Sequence, residues 1–338
     1  MNVLGTNIFT EGRSINKMKL AKLDSNLIGQ KLGTIIKTQD GQKLINSGNK
    51  ISQKVLERLL NYGMNCLYIE DENTDLELEE SISEDVRVEI IKKLNTIYEN
   101  ISKKNTFDEY ELNHIVRNHI LMNINNKPIS LPIGRTLKGQ DLAHHSLNVC
   151  LLCIMTANQY GLPMDRVEIL AKAALLHDIG KILKSNDNSM SHGQMAYNFL
   201  RHKTDSVILC NAIRFHHETL DESGPEKLSP NHQGDLIKIL SLCNYYENLL
   251  NDKNLVQYEC FEKIQALANT KFDGKVFEAF KKSIHIYPIG LPVKLNTGEE
   301  GIVARQNNSF PLRPIVRTDK AEYNLINNLS LFISEVGL

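Results

Sequence analysis

The sequence predicts a mainly α protein: an all-helical domain in its middle, a small N-terminal α+β module ahead of it and a short C-terminal β tail behind. Three observations carry this. From Asp141 to Ile284 apolar residues recur at helical spacing between short breakers. From Met18 to Glu70 the pattern is strand-like, then helical, then strand-like again. Residues 289–338 lose the helical period and carry hairpin signals instead.

Residues 1–14 are polar and aperiodic and are expected to be flexible. Residues 15–72 form the module. Leu32–Lys37 is an extended apolar run, Asp40-Gly41 is a hairpin turn signal, and Lys43–Ile45 returns. Ser52 can cap a helix whose residues Val55, Leu56, Leu59 and Leu60 share a face; Gly63 stops it and Cys66–Ile69 closes the module. No His, Cys or acidic cluster lies here, so the module reads as accessory or sensory.

Residues 73–130 link the two parts. An acidic stretch, Asp71–Glu80, precedes helices expected at Ile82–Ser102 and Phe107–Asn125. His114 and His119 lie five apart, which on an α-helix does not bring two side chains to one face as three or four would. They therefore read as non-ligands.

Residues 131–288 are the helical domain, opened by the breakers Pro128 and Pro132. Leu142–Tyr160 is a helix ended by Gly161 and Pro163, and Asp165 can cap the next, which runs to His177. Ser191–His202 and Asp205–His217 form a pair, followed by Asp235–Leu250, Tyr258–Ala268 and Gly274–Ile284. In the tail, residues 289–338, strands Pro292–Leu295 and Gly301–Ala304 flank Asn296–Gly298, with further strands at Pro314–Arg317 and Leu329–Ser334.

A chain of 338 residues suffices for two or three domains, and 41% hydrophobic with 23% charged residues is ordinary for a globular protein. A net charge of −1 gives no support for nonspecific nucleic-acid binding. No apolar run reaches the roughly 18 residues of a membrane span, and the N-terminus lacks a signal-peptide pattern, so the expected compartment is the cytoplasm. Of six cysteines only Cys150 and Cys153 are close; their neighbours are apolar, so they read as core rather than as ligands or a disulfide framework.

The chemistry concentrates in Leu175–Lys181, where His177 and Asp178 are adjacent at the end of an apolar helical run. Upstream stand Asp141, His144 and His145; downstream come His192 and the doublet His216-His217, followed by Glu218. Asp141 and His145 are one helical turn apart, so both can face one object. Imidazole and carboxylate ligands suit Fe, Mn or Zn, and open coordination positions let such ions activate water. The pattern points to a metal-dependent phosphohydrolase.

From Asp141 to Ile289 the chain resembles the HD-GYP domain, the branch of the HD phosphohydrolase superfamily that hydrolyses cyclic di-GMP. The matching pieces are His145–Val149, Leu175–Lys181, His192-Gly193, His216–Glu218, Asp221–Pro225 and Ile239–Leu249, with a family-like extension at Tyr287–Leu295. Residues Ile15 to Glu70 resemble, less specifically, a small domain often found ahead of this one.

The resemblance implies an HD-type helical catalytic domain holding two divalent transition ions, Fe or Mn. Their ligands would be His145, His177, Asp178, His192, His216, His217 and Asn244, with Asp178 bridging and Asp141 placed for an extra ion. Asp178 and Lys181 would be catalytic, and Lys181, Gly224 and Pro225 would meet the substrate. That substrate would be a cyclic dinucleotide or another small phosphodiester. A homodimer or a signalling-protein partner is compatible with this reading, and the charge and hydropathy above give no expectation of a membrane or nucleic-acid partner.

Three departures stand against the pattern. Asn244 occupies the place of the closing metal-ligand Asp, and a neutral carboxamide binds a hard cation less tightly. In Glu222-Ser223-Gly224-Pro225 the signature tyrosine is missing and Glu222 replaces the usual glycine. The segment after Leu250 lacks the expected arginines. An active phosphodiesterase, a nucleotide sensor or docking domain without turnover, and an HD hydrolase of some other phosphodiester are the three readings these residues leave.

Overall fold

Helix α4 (Leu142–Tyr160) is the axis of the computed structural model, which describes residues 18–37, 43–64, 66–71, 81–125, 127–130, 142–184, 189–251 and 256–337. Thirteen of its nineteen residues are buried, apolar on nearly every side, as a helix enclosed by others must be. Around it stand α5 (Met164–Leu176), α8 (Asp235–Leu250) and α10 (Gly274–Ser283), while α6 (His192–Leu200) and α7 (Val207–Arg214) pair beside α5. Helix α9 (Gln257–Leu267) completes the layer behind α8. All six cysteines are free and buried, and burial pushes the Cys150 thiol far up, so the core reading of Cys150 and Cys153 holds.

The helix boundaries follow from local chemistry. Gly161, at φ +88°, takes the left-handed position that ends α4. The residue ahead of α5 is Pro163 rather than Asp165; Asp165 lies in the first turn, where its charge meets the helix dipole instead of capping. Ser191 and Gln194 form a reciprocal capping box that starts α6 at His192.

Helix α2 (Glu84–Lys104) is capped by Ser83, carries acids in its first turn and lysines in its last, and stops at Asn105 with φ 55°. Helix α3 (Glu109–His114) does not continue as an α-helix to Asn125. Residues Ile115–Leu121 close π-type hydrogen bonds, whose wider turn stacks residues five apart. The rings of His114 and His119 therefore meet 5.0 Å apart, contrary to the expectation from α spacing. Neither joins the His-Asp groups described below.

The N-terminal module has its own small core: Leu23, Leu27, Leu32, Ile36, Ile45, Ile51, Leu56, Leu59, Met64, Leu67 and Ile69. Strand β1 (Met18–Lys22) pairs antiparallel with β4 (Cys66–Glu70), and β2 (Ile36–Lys37) with β3 (Lys43–Ile45). Ser52 caps α1 (Gln53–Asn61) through the Val55 N–H as expected, but Leu60 lies nearly half exposed, off the buried face. The expected turn at Asp40-Gly41 and the boundaries at 14/15, 72/73 and 130/131 involve residues outside the described ones.

The tail is larger than its sequence suggests. Strands β5 (Pro292–Leu295), β6 (Glu300–Arg305), β7 (Ile315–Thr318), β8 (Glu322–Asn324) and β9 (Ile333–Val336) form one antiparallel sheet in the order β8-β7-β6-β5-β9. The hairpin turns at Gly298, φ +87°. Strand β8 carries a charged, half-exposed sequence without alternation, which hides it from pattern reading. The tail's first residues also receive the module: the Leu20 N–H donates to the Gly290 carbonyl at 3.0 Å.

Candidate metal centre

Four elements deliver the histidines. His145 lies in the first turn of α4, His177 and Asp178 follow α5, His192 opens α6, and His216 and His217 follow α7. Two glycines let these ends touch. Gly180 needs no unusual backbone angle. Its requirement is space: a β-carbon there would lie 1.9 Å from the His192 carbonyl oxygen. At Gly193 a β-carbon would lie 2.5 Å from the Arg214 carbonyl oxygen, two residues before His216.

Asp178 sits between two sets of imidazoles. Its Oδ2 lies 3.4 Å from His145 Nε2, 3.5 Å from His177 Nε2 and 2.5 Å from Lys181 Nζ. Its Oδ1 lies 3.1 Å from His192 Nε2 and 3.7 Å from His216 Nε2, yet is buried without a well-formed hydrogen bond. Among the described residues two groups have the donor atoms to hold a metal ion, Asp178 with His192, His216 and His217, and His145 with His177 and Asp178; within each, these atoms lie within 4.8 Å of one another.

The hydrogen bonds fix which ring nitrogens face inward. His177 Nδ1–H donates to the Ala174 carbonyl at 2.8 Å and His216 Nδ1–H to the Ile213 carbonyl at 2.6 Å. Each Nε2 is then left as a lone pair aimed at the cluster. His145 and His177 approach Nε2 to Nε2 at 3.0 Å, and His192 Nε2 stands 3.2 Å from His216 and 3.0 Å from His217. Converging lone pairs repel unless a proton or a cation lies among them, so the donor set fits divalent ions. Burial pushes His177 and His217 down to about 4 and His216 well below its ordinary value, leaving them neutral as ligands must be. For His145, burial opposes the proton, but Asp178 and Glu247 outweigh it and raise the group to about 9. Burial alone would raise Asp178, but His177, His145, His192 and Lys181 hold it ionised far below the usual carboxylate range.

The remaining expected residues fall differently. Asp141 lies outside the described residues. Asn244 is buried on α8, and its Oδ1 accepts from Asn248 at 3.0 Å. Lys181 is half exposed at the cluster's rim. Gly224 is buried against the Glu218 carboxylate, which a β-carbon would approach to 2.6 Å, while Pro225 is exposed. Glu218 is a loop clamp: its carboxylate accepts the Glu226 and Leu228 N–H groups at 2.8 and 2.6 Å. His144 belongs to neither group, and His202 and His232 are exposed.

Glu247 is the acid that ligand-by-ligand reading missed. It is 2% exposed and pairs with His145 Nδ1, orienting that ring from behind. Its signal was present in its place on α8, three residues after Asn244.

Glu222 shows why that position ordinarily holds glycine: its φ is 56°, a left-handed conformation costly for a side chain. Glu222→Gly is expected to stabilise the metal-free protein by about 0.5–1 kcal/mol, the relieved strain exceeding the entropy glycine adds to the unfolded chain. A denaturant midpoint that falls instead would show the Glu222 side chain holding the loop.

The model of the HD domain matches residues 142–249. The cyclic di-GMP phosphodiesterase PA4108 of Pseudomonas aeruginosa is 30% identical over 192 residues, 51% of this chain and 46% of that protein. Ribonuclease Y of Petrotoga mobilis is 35% identical over 92 residues, 27% of this chain and 17% of that protein. The chain thus spans less than half the length of either relative. Among solved structures, Bd1817, an HDG"Y"P protein from Bdellovibrio bacteriovorus, superposes with a TM-score of 0.46 at 19% identity, covering 78% of this chain and 98% of that one.

Residues 142–249 are an HD domain, the helical scaffold of a phosphohydrolase superfamily whose members bind divalent metals. Beyond that domain, the similarity to the Pseudomonas phosphodiesterase extends over 51% of the chain. No helix among the described residues is long and apolar enough to cross a membrane.

Proposed function

We propose that this chain is a metal-dependent phosphodiesterase of the HD-GYP type, acting on cyclic di-GMP or a related cyclic dinucleotide. The observation that carries the proposal is one buried carboxylate, Asp178, shared by two imidazole groups. His145 and His177 would hold one ion with Asp178, and His192, His216 and His217 the other. Bound there, Fe or Mn would supply Lewis acidity and a water of lowered pKa. Asp178 would divide its charge between the ions, and Lys181, half exposed beside it, would meet the phosphate's developing negative charge. Neutral imidazoles and the buried, oriented His145 keep the donor set in place before any ion arrives. The ordering into a module at 15–72, linking helices at 73–130, a catalytic domain at 131–288 and an extension at 289–338 belongs to the same proposal. So does a cytoplasmic setting, which six buried free thiols suit.

Elemental analysis of the purified chain, followed by assay of cyclic di-GMP and bis(p-nitrophenyl) phosphate with added Mn or Fe, tests the function. Metal-dependent cleavage of either is the expected result. A fully loaded site that cleaves neither would support the second reading, a sensor or docking domain, which the altered loop and Asn244 favour. Without the family's arginines, binding of cyclic di-GMP should be weaker than about 1 μM, roughly −8 kcal/mol, because bidentate phosphate contacts are lost.

Asn244→Asp is expected to raise metal occupancy and turnover together. The two side chains are nearly isosteric, while a neutral oxygen donor becomes an anionic one. Equal occupancy and equal rate in the two proteins, measured side by side, would remove Asn244 from the ligand set.

A further inference from the structure

A second set of contacts reaches the His145 ring from outside the HD domain. Arg87, on the linking helix α2, donates its Nη1–H to Asn148 Oδ1 at 3.0 Å. Asn148, one turn after His145 on α4, donates Nδ2–H to Glu247 Oε1 at 3.2 Å. The other Glu247 oxygen pairs with His145 Nδ1 and accepts from Asn251 at 2.9 Å. The amide orientation of Asn148 is fixed by this pair, because its oxygen meets a cation and its nitrogen meets a carboxylate. Glu247 is nearly fully buried, and such a carboxylate must be satisfied on every side to hold one position.

Helix α2 also touches the other half of the same metal group. The buried Tyr98 hydroxyl donates to the Leu175 carbonyl at 2.5 Å, two residues before His177. One helix thus braces both α4 behind His145 and the end of α5 that presents His177 and Asp178. The described bonds from α2 include none to His192, His216 or His217.

We infer that Arg87 and Asn148 are positioning residues of the metal centre, acting through Glu247 on His145, and that α2 thereby governs one of its two ion sites selectively. This rests on the metal reading proposed above. It extends that reading by making the segment between the N-terminal module and the HD domain a controlling element. A displacement of α2 frees Asn148 to rotate, Glu247 loses a donor, and the His145 ring loses its fixed aim at Asp178. Loss of the Arg87 or Asn148 contact alone leaves the site built by His192, His216 and His217 its geometry, because the described bonds of neither residue reach it.

The test uses the full chain with Arg87→Met, Asn148→Leu and the conservative Arg87→Lys, alongside Lys92→Met, which removes one charge from an exposed position on the same helix. Co(II) titration followed by visible absorption should show two binding events in the unaltered protein. Arg87→Met and Asn148→Leu should weaken one event roughly tenfold and leave the other in place, as loss of an outer hydrogen-bond partner does. Arg87→Lys should recover part of the loss, and Lys92→Met should change nothing. Both events unchanged in Arg87→Met and Asn148→Leu, or both weakened equally, would overturn the inference. Imidazole 15N shifts of metal-free protein provide the independent readout. The His145 signals should move in Arg87→Met and Asn148→Leu while the His216 signals do not. Unmoved His145 signals overturn the positioning role whether or not metal binds, whereas moved signals in a chain that binds no Co(II) would sink only the metal reading.

Discussion

Gly180→Ala is expected to abolish metal binding and to destabilise the protein by about 3 kcal/mol or more, although glycine to alanine is among the smallest substitutions available. The added β-carbon would lie 1.9 Å from the His192 carbonyl oxygen, so backbone meets backbone with no side chain free to yield. Either the turn after Asp178 or the start of α6 must move, and both carry ligands. Because the backbone angle at Gly180 lies outside the left-handed region, the effect is steric, and residues larger than alanine should be worse in proportion to their reach. Denaturant unfolding of the metal-free variant, with its metal content, checks both parts. A Gly180→Ala protein of unchanged midpoint that still binds metal would show that the α6 start can shift freely.

Asp178→Asn should weaken both metal binding and the metal-free fold. Its carboxylate is held ionised in a nearly dry position by surrounding imidazoles and Lys181, and one oxygen lies without a sound hydrogen bond. A neutral amide removes the anion shared by both groups, so metal affinity should fall by more than the roughly 10–100-fold typical of losing an outer-shell partner. The metal-free variant should also be less stable than its parent at neutral pH, because the fold holds this carboxylate ionised far below its ordinary range and the amide leaves His145 and Lys181 without their anionic partner. Thermal unfolding with and without metal would show this as a lower metal-free midpoint and a smaller rise on adding metal. Retention of both ions at parental affinity would count against Asp178 as the shared ligand.

Much of this was written in the residue order. The helices from Leu142 to Ser283 announce themselves because α-periodic apolar residues lie between strong stop signals such as Gly161. His177, Asp178, His192, His216 and His217 were readable because ligand chemistry tolerates few residue types, and segment ends are where such residues converge. Less visible was anything set by backbone approach. Gly180 reads as a permissive residue at a turn and acts as a contact surface, and nothing in the sequence separates those roles. The π-turn at Ile115–Leu121 escaped because its composition is that of an α-helix; packing decides the hydrogen-bond register. Glu247 was hidden behind Asn244, since reading for direct ligands passes over the residues that aim them.

The burial of all six thiols gives the molecule a built-in clock. Cys66 lies where β4 joins the module to the main core, whereas Cys150, Cys153, Cys210, Cys243 and Cys260 lie inside the helical bundle itself. A reagent that must wait for exposure reaches the first when the module lifts away and the other five only when the helices part. The order of modification therefore distinguishes a loosened joint from a melted domain, two events that a change in total helix content would report alike.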